Sequence, residues 1–400
     1  MIAKHFRWAF TILALIWPLG GQAWGQAAPA PRQFGLIEIG GSGVKASVVE
    51  FSTPSPGGEA SAIDLKFVRR YPIQNVDPAF KENVPKVAMV IDGLVTDLRA
   101  RYRLEPLQIY IISASGLNAG QAGSALRVAV DGIVAGRAGA MTFVSVQEQA
   151  QFGFNGVVNC ARLAHRRQQT VFIDVGSSEI VAAAAGTRSG ACGTEHIAAL
   201  NFGFGVKTAQ RAANGHAPSP GQGAGASAID ERIALALREG AQRALRRPRV
   251  YFGGGIVWTI ATMLHPDQGA SYVRLDQGDF ARMRAQLEAD PLCLTDPAMA
   301  LRADPECKFV DVNFSAVEAD DQRLRAATDH REIVTSIFTR EQLIAGTDTL
   351  LSLVTQLNLE NSEFFFARPA LNAWIIGFLL AQESGPQQGE GQAGLAGQNN

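Results

Sequence analysis

Residues 170–182 read TVFIDVGSSEIVA, and the rest of the chain is read from them. A β-branched apolar run, Val171 to Ile173, ends in a carboxylate, Asp174. Small residues follow, Gly176, Ser177 and Ser178, then a second carboxylate, Glu179, and a new apolar run from Ile180. A strand that stops at Asp-x-Gly-Ser-Ser and restarts as a strand predicts a hairpin. Its turn has little side-chain bulk, so a ligand oxygen can approach bare backbone N–H groups, and the flanking acids can hold a cation beside it.

The same pattern occurs earlier. Residues 34–51, FGLIEIGGSGVKASVVEF, run apolar strand, acid (Glu38), turn (Gly40, Gly41, Ser42, Gly43) and alternating strand. Two acid-plus-glycine hairpins about 135 residues apart predict two related lobes facing each other across a cleft.

Four hundred residues allow two or three domains with a large core. A net charge of −1 with 18% charged residues provides no basic field for nucleic acid. The N-terminus reads as a targeting segment: Lys4, His5 and Arg7 precede an apolar stretch of about a dozen residues, then small residues around Ala23 to Ala27. That stretch is short of the roughly twenty residues of a membrane span, so a signal peptide over residues 1–25 is expected, with an uncleaved anchor as the alternative. Export makes the protein periplasmic or secreted. It also makes disulfides the reading of an even cysteine count, Cys293 with Cys307 and Cys160 with Cys192. No Cys-x-x-Cys occurs and the histidines have no ligand spacing, which argues against a zinc site.

Along the chain, residues 64–73 read as a strand, 84–102 as an amphipathic helix and 107–113 as a buried strand. Residues 121–138 read as a helix, 141–146 as a short strand and 148–163 as a helix. The second half holds a strand leading to Gly203 and Gly205, a flexible loop over 214–227 and a helix over 228–246. Residues 249–259, RVYFGGGIVWT, run strand, triple glycine (Gly253, Gly254, Gly255), helix start, a geometry that receives phosphate, with a tight strand-to-helix joint as the alternative. Residues 279–287, 340–357 and 367–381 read as helices; the last is apolar but short and reads as buried rather than spanning. Residues 384–400, rich in Gln and Gly, read as a disordered tail.

The order EIGGSGVKASVV, VSVQEQAQFGFNGV, FIDVGSSEIVAA, LNFGFGVKTAQ, VYFGGGIVWTIATM resembles the exopolyphosphatase and guanosine pentaphosphate phosphatase family. Secreted apyrases share its plan. The resemblance implies an α/β, two-lobed, actin-like (ribonuclease H-like) duplicated fold with a central cleft, its lobes over 34–168 and 169–383. In that family the two hairpins hold phosphate and a divalent cation, and a Glu between them is the base for the attacking water. Position by position, the first Asp falls on Glu38, the second Asp on Asp174, its Glu on Glu179 and the catalytic Glu on Gln149. The implied metal ligands are Glu38, Asp174 and Glu179; the ion is Mg²⁺, or Ca²⁺ or Mn²⁺.

The chain departs from that pattern. An amide cannot take a proton at neutral pH, so Gln149 can position water but not deprotonate it, and a base contribution of roughly a hundred- to ten-thousandfold is forfeited. Glu148 is adjacent but points about 100° away around a helix. Glu38 is longer than the family's Asp, the second turn is two residues shorter, and an expected Arg after Ser115 is missing. Two readings follow. One is an exported phosphoanhydride hydrolase releasing terminal phosphate from polyphosphate or a nucleotide, with Gln149 orienting or Glu148 activating water. The other is a binding or sensing protein for the same ligands with impaired catalysis. The partner in both is a phosphorylated small molecule or polyphosphate, with no nucleic acid and no membrane span after signal cleavage; a homodimer is compatible with both.

Overall fold

The computed structural model describes residues 32–41, 43–52, 64–70, 81–113, 121–158, 163–186, 196–215, 224–237, 241–268, 270, 272–289, 326, 329–330, 333, 337–368 and 373–383. The signal segment, Ser42, Ser115, all four cysteines with both expected disulfides, and the tail lie outside the described residues.

Both hairpins form. Strand β1 (Arg32–Gly40) turns into β2 (Gly43–Ser52) with Gly40 opposite Gly43 and Glu38 opposite Lys45. Strand β3 (Asp64–Arg70) follows β2 antiparallel, while β4 (Ile109–Ser113) and the short β5 (Thr142–Phe143) extend the other side in parallel. The first sheet therefore has the order β3-β2-β1-β4-β5.

The second lobe repeats this. Strands β6 (Thr170–Val175), β7 (Ile180–Ala185) and β8 (Ile197–Asn201) form the antiparallel meander, and β9 (Arg249–Gly253) lies parallel to β6. Strands β10 (Tyr272–Leu275) and β11 (Glu363–Ala367) complete the order β10-β11-β9-β6-β7-β8. Removing β10 leaves the pattern of the first sheet, so the duplication extends from the turn motif to whole-sheet topology.

Helix α1 (Val84–Tyr102) covers the span expected from its periodicity, burying Val84, Val87, Ala88, Ile91, Val95 and Leu98. Helix α2 (Gln121–Val134) packs against it. Helix α3 (Val146–Val157) starts two residues before the expected boundary because Ser145 caps it. In the second lobe the helices are α4 (Val206–Gly215), α5 (Ala224–Leu237), α6 (Ala241–Leu245), α7 (Gly255–Leu264), α8 (Gln277–Ala289), α9 (Arg340–Gln356) and α10 (Ala373–Glu383).

Three expectations change. The loop expected over 214–227 is helical at both ends, since α5 draws in the Ala-rich start AGAS. The single helix expected over 228–246 falls into α5 and α6. Of the helix expected over 367–381, Ala367 instead ends strand β11 and the described helix runs Ala373–Glu383; in β11 Phe364 and Phe366 are buried on one face while Phe365 stacks on Tyr251 on the other. Strand β10, which carries no long alternation, was not legible either.

The lobes exchange helices. Helix α3 places Ala150, Phe154 and Val157 against Phe172, Val181 and Ala183 of the second sheet. Helix α10 places Trp374, Ile375, Phe378 and Leu379 against Phe34, Leu36, Val49 and Ile112 of the first. The two helices meet backbone to backbone: a Cβ on Gly156 would stand 1.9 Å from the Ala373 carbonyl oxygen, and one on Gly377 1.9 Å from that of Phe152. Among the described residues no helix is long and apolar enough to cross a membrane, and the apolar α10 is buried in this interface.

Candidate functional site

The cleft is built where β1 and β6 end. Glu38 is 4% exposed. Directly across the hairpin, Lys45 Nζ lies 3.0 Å from Glu38 Oε1, while Oε2 has no hydrogen-bond partner among the described residues. Gly40 leaves the carboxylate room, since a Cβ there would stand 3.3 Å from Oε1.

Asp174 sits beside Gly253 in the parallel register of β6 and β9. A Cβ at 253 would stand 3.3 Å from Asp174 Oδ1, and one at 254 2.9 Å. The Gln149 side chain, delivered from the other half of the chain by α3, hydrogen-bonds Asp174. Burial pushes the Asp174 carboxyl up to about 7; Lys45 pulls it down, Glu38 adds to the rise and the Gln149 bond opposes it. Glu38, Lys45, Gln149 and Asp174 thus form one electrostatic group spanning both lobes.

The second turn is braced from within its own lobe. The Gly176 amide donates to Glu179 O (3.0 Å), Val206 N to Gly176 O (3.1 Å) and Lys207 N to Ser177 O (3.0 Å). Gly205 lies flush on this turn, where a Cβ would meet the Ser178 carbonyl carbon at 2.3 Å and the Glu179 nitrogen at 2.4 Å. The two turns touch across the cleft. A Cβ on Gly41 would fall 1.9 Å from Ser178 Oγ, and Lys207 Nζ donates to Gly41 O at 2.6 Å.

The other sequence candidates are placed differently. Glu148 is exposed and completes a capping box: its Oε2 accepts from Ser145 N at 2.8 Å, and its own amide donates to Ser145 Oγ at 3.2 Å. Gly254 caps α7 at φ 93°, which favours glycine, and a Cβ on Gly255 would stand 2.5 Å from the Phe338 ring. The triple glycine therefore serves a close strand-to-helix joint as well as making room for Asp174.

Among the described residues no three His, Cys, Asp or Glu side chains converge as a metal site. More directly, the Lys45 ammonium already lies on the Glu38 oxygen and the Gln149 side chain is bonded to Asp174. Glu38 and Asp174, engaged by Lys45 and Gln149, do not fit the expected divalent cation in this arrangement, and Glu179 does not join them in a three-acid cluster.

Lys45 and Lys207 were not singled out from the sequence, although a signal for Lys45 was there. A hairpin that pairs Gly40 with Gly43 must set position 38 opposite position 45, which places a lysine against the buried acid.

Solved structures share this architecture. The crystal structure of the Aquifex aeolicus member of the Ppx/GppA family aligns with a TM-score of 0.58 at 10% identity, over 88% of this chain and 99% of that one. An exopolyphosphatase from Cytophaga hutchinsonii aligns at 0.57 and 14% identity, over 88% and 98%. This chain has the Ppx/GppA fold. The likeness extends over both lobes, as the sequence resemblance implied. No protein-family model and no curated protein matches the chain.

Proposed function

We propose that the chain is a phosphoryl-ligand-binding protein of the Ppx/GppA fold, exported from the cytoplasm, with its hydrolytic capacity reduced or lost. The ligand is polyphosphate or the phosphate chain of a nucleotide, received beside the turns at Gly40 to Gly43 and Gly176 to Glu179. One observation carries this reading: Gln149 stands where the resemblance puts the base, and its side chain is bonded to Asp174. Its neighbour Glu148 is committed to capping α3. Small turn residues and the Lys45 ammonium, one donor of which goes to Glu38, supply the groups that would hold an anion.

A second reading rests on Asp174. A carboxyl poised near 7 has the strength of a general base at neutral pH, so slow hydrolysis with Asp174 taking the proton of water is the alternative.

Phosphate release from polyphosphate and nucleoside triphosphates, measured beside ligand-induced thermal stabilisation, separates the two. The binding reading expects stabilisation, no wild-type turnover above Asp174→Ala, and turnover gained by Gln149→Glu. Wild-type turnover that rises with pH through about 7 and disappears in Asp174→Ala would replace it with the hydrolase reading. Export is checked by locating the full-length chain and one lacking residues 1–25 in the producing cell; cytoplasmic residence of the full-length chain would remove that part.

A further inference from the structure

Two ammonium groups frame the first glycine turn. Lys45 reaches it from β2 of the same hairpin, and Lys207 from the start of α4 in the opposite lobe, where its Nζ is 2.6 Å from Gly41 O. The Lys45 side chain is 28% exposed and that of Glu38 6%. Its charge acts on Asp174 of the other lobe as well as on Glu38, which places it between the two acids that the family resemblance assigns to a metal. An ammonium carries three N–H donors, and one goes to Glu38 Oε1. Glu38 engages it through that single oxygen, with Oε2 left without a partner among the described residues. The contact is therefore one-sided and leaves donors for a further acceptor.

We propose that this cleft binds phosphoryl oxygens without a divalent metal, the Lys45 ammonium held on Glu38 supplying the positive charge that a metal would otherwise bring. The inference rests on the phosphoryl-binding reading above and deepens it. A phosphoryl oxygen that reaches the Glu38–Lys45 pair takes its charge-assisted hydrogen bond from Lys45, with Glu38 keeping the ammonium in place. Glu38 is then a competitor for Lys45 rather than a ligand of the cation. That reverses the sign of its substitution: Glu38→Gln removes the carboxylate in contact with Lys45, leaving Asp174 as the acid its charge acts on, and strengthens anion binding, whereas loss of a metal ligand would weaken it.

The test is calorimetric titration of the full chain with tripolyphosphate, in EDTA and in excess Mg²⁺, for wild type, Glu38→Gln, Lys45→Met and Lys45→Arg. Wild type is expected to bind in EDTA and more weakly in excess Mg²⁺, which complexes tripolyphosphate, and Glu38→Gln to bind several-fold more tightly than wild type in EDTA. Lys45→Met is expected to weaken binding by on the order of ten- to a hundredfold, the range for a lost hydrogen bond to a charged group. Lys45→Arg, which keeps the charge, restores most of it and covers the case in which the methionine variant does not fold. Binding that vanishes in EDTA, returns with Mg²⁺ and is weakened by Glu38→Gln would overturn the metal-free site while leaving the phosphoryl-binding reading intact. Absence of binding in both buffers would remove that reading and this inference with it.

Discussion

The two hairpins share one pattern but handle their acids differently. Glu38 faces Lys45 across its own turn, so the pair forms within the first hairpin. Asp174 occupies the matching place in the second hairpin, and the position across from it is Val181. A valine offers no charge, and Asp174 draws its partners from elsewhere: Gln149 from α3 and Lys45 from the opposite lobe. The bracing of the turns is also unequal, the second held by backbone hydrogen bonds from 206 and 207, the first touched across the cleft by Ser178 and Lys207. A duplicated motif can thus keep its backbone plan while a single cross-strand residue decides whether an acid is locally neutralised.

The sharpest contrast in stability lies between the two turns. Gly205→Ala drives a Cβ into backbone atoms at 2.3 to 2.7 Å, which the brace cannot yield, and a loss on the order of 3 kcal/mol is expected by chemical denaturation. A variant as stable as wild type would show that the second turn is not held by its brace.

Next comes the pH dependence of Asp174. Its folded-state pKa of about 7 lies above the ordinary 3.8, so the folded chain holds a proton that the unfolded chain has released between those values. Stability from this group is complete below about 3.8 and is lost as pH rises towards 7. Asp174→Asn removes the loss: the variant should gain on the order of 2 kcal/mol over wild type at pH 8, and almost none near pH 4. Equal gains at both pH values would mean that the carboxyl is not displaced. Lys45→Met tests the link between the hairpins, because Lys45 lowers the Asp174 pKa; without it the midpoint of that pH dependence should move upward, and an unmoved midpoint would separate the two acids.

The smallest effect is expected at the first turn. A Cβ on Gly41 meets chiefly Ser178 Oγ, the end of an exposed side chain that can rotate away, so Gly41→Ala should cost about 1 kcal/mol or less. A cost equal to that of Gly205→Ala would erase the distinction between the turns.

Much of the fold was readable from local pattern. The hairpins at Glu38 and Asp174, helix α1 and the strand-glycine-helix joint at Gly253 all follow from periodicity and turn residues, which act over a few positions. Strand β11 was not read as an element, apart from Ala367 at the expected helix start, because an apolar run of four has no period of its own until β9 and β10 lie on either side of it. Helix α10 was correctly an apolar buried helix, but its sequence does not say which sheet it covers.

What the sequence determined by itself is therefore the duplicated plan, the two acid-bearing turns and the amide at position 149, since each depends on residue type and spacing along the chain. Only the tertiary structure decided that α3 and α10 cross between lobes, that Gln149 reaches Asp174, that Glu148 is spent on a helix cap, and that Lys45 stands between two acids 136 positions apart. The physical reason is range: a turn or a helix period is set by neighbours in sequence, whereas burial and charge depend on everything close in space, and at Asp174 those neighbours come from β1, β2, α3 and β9.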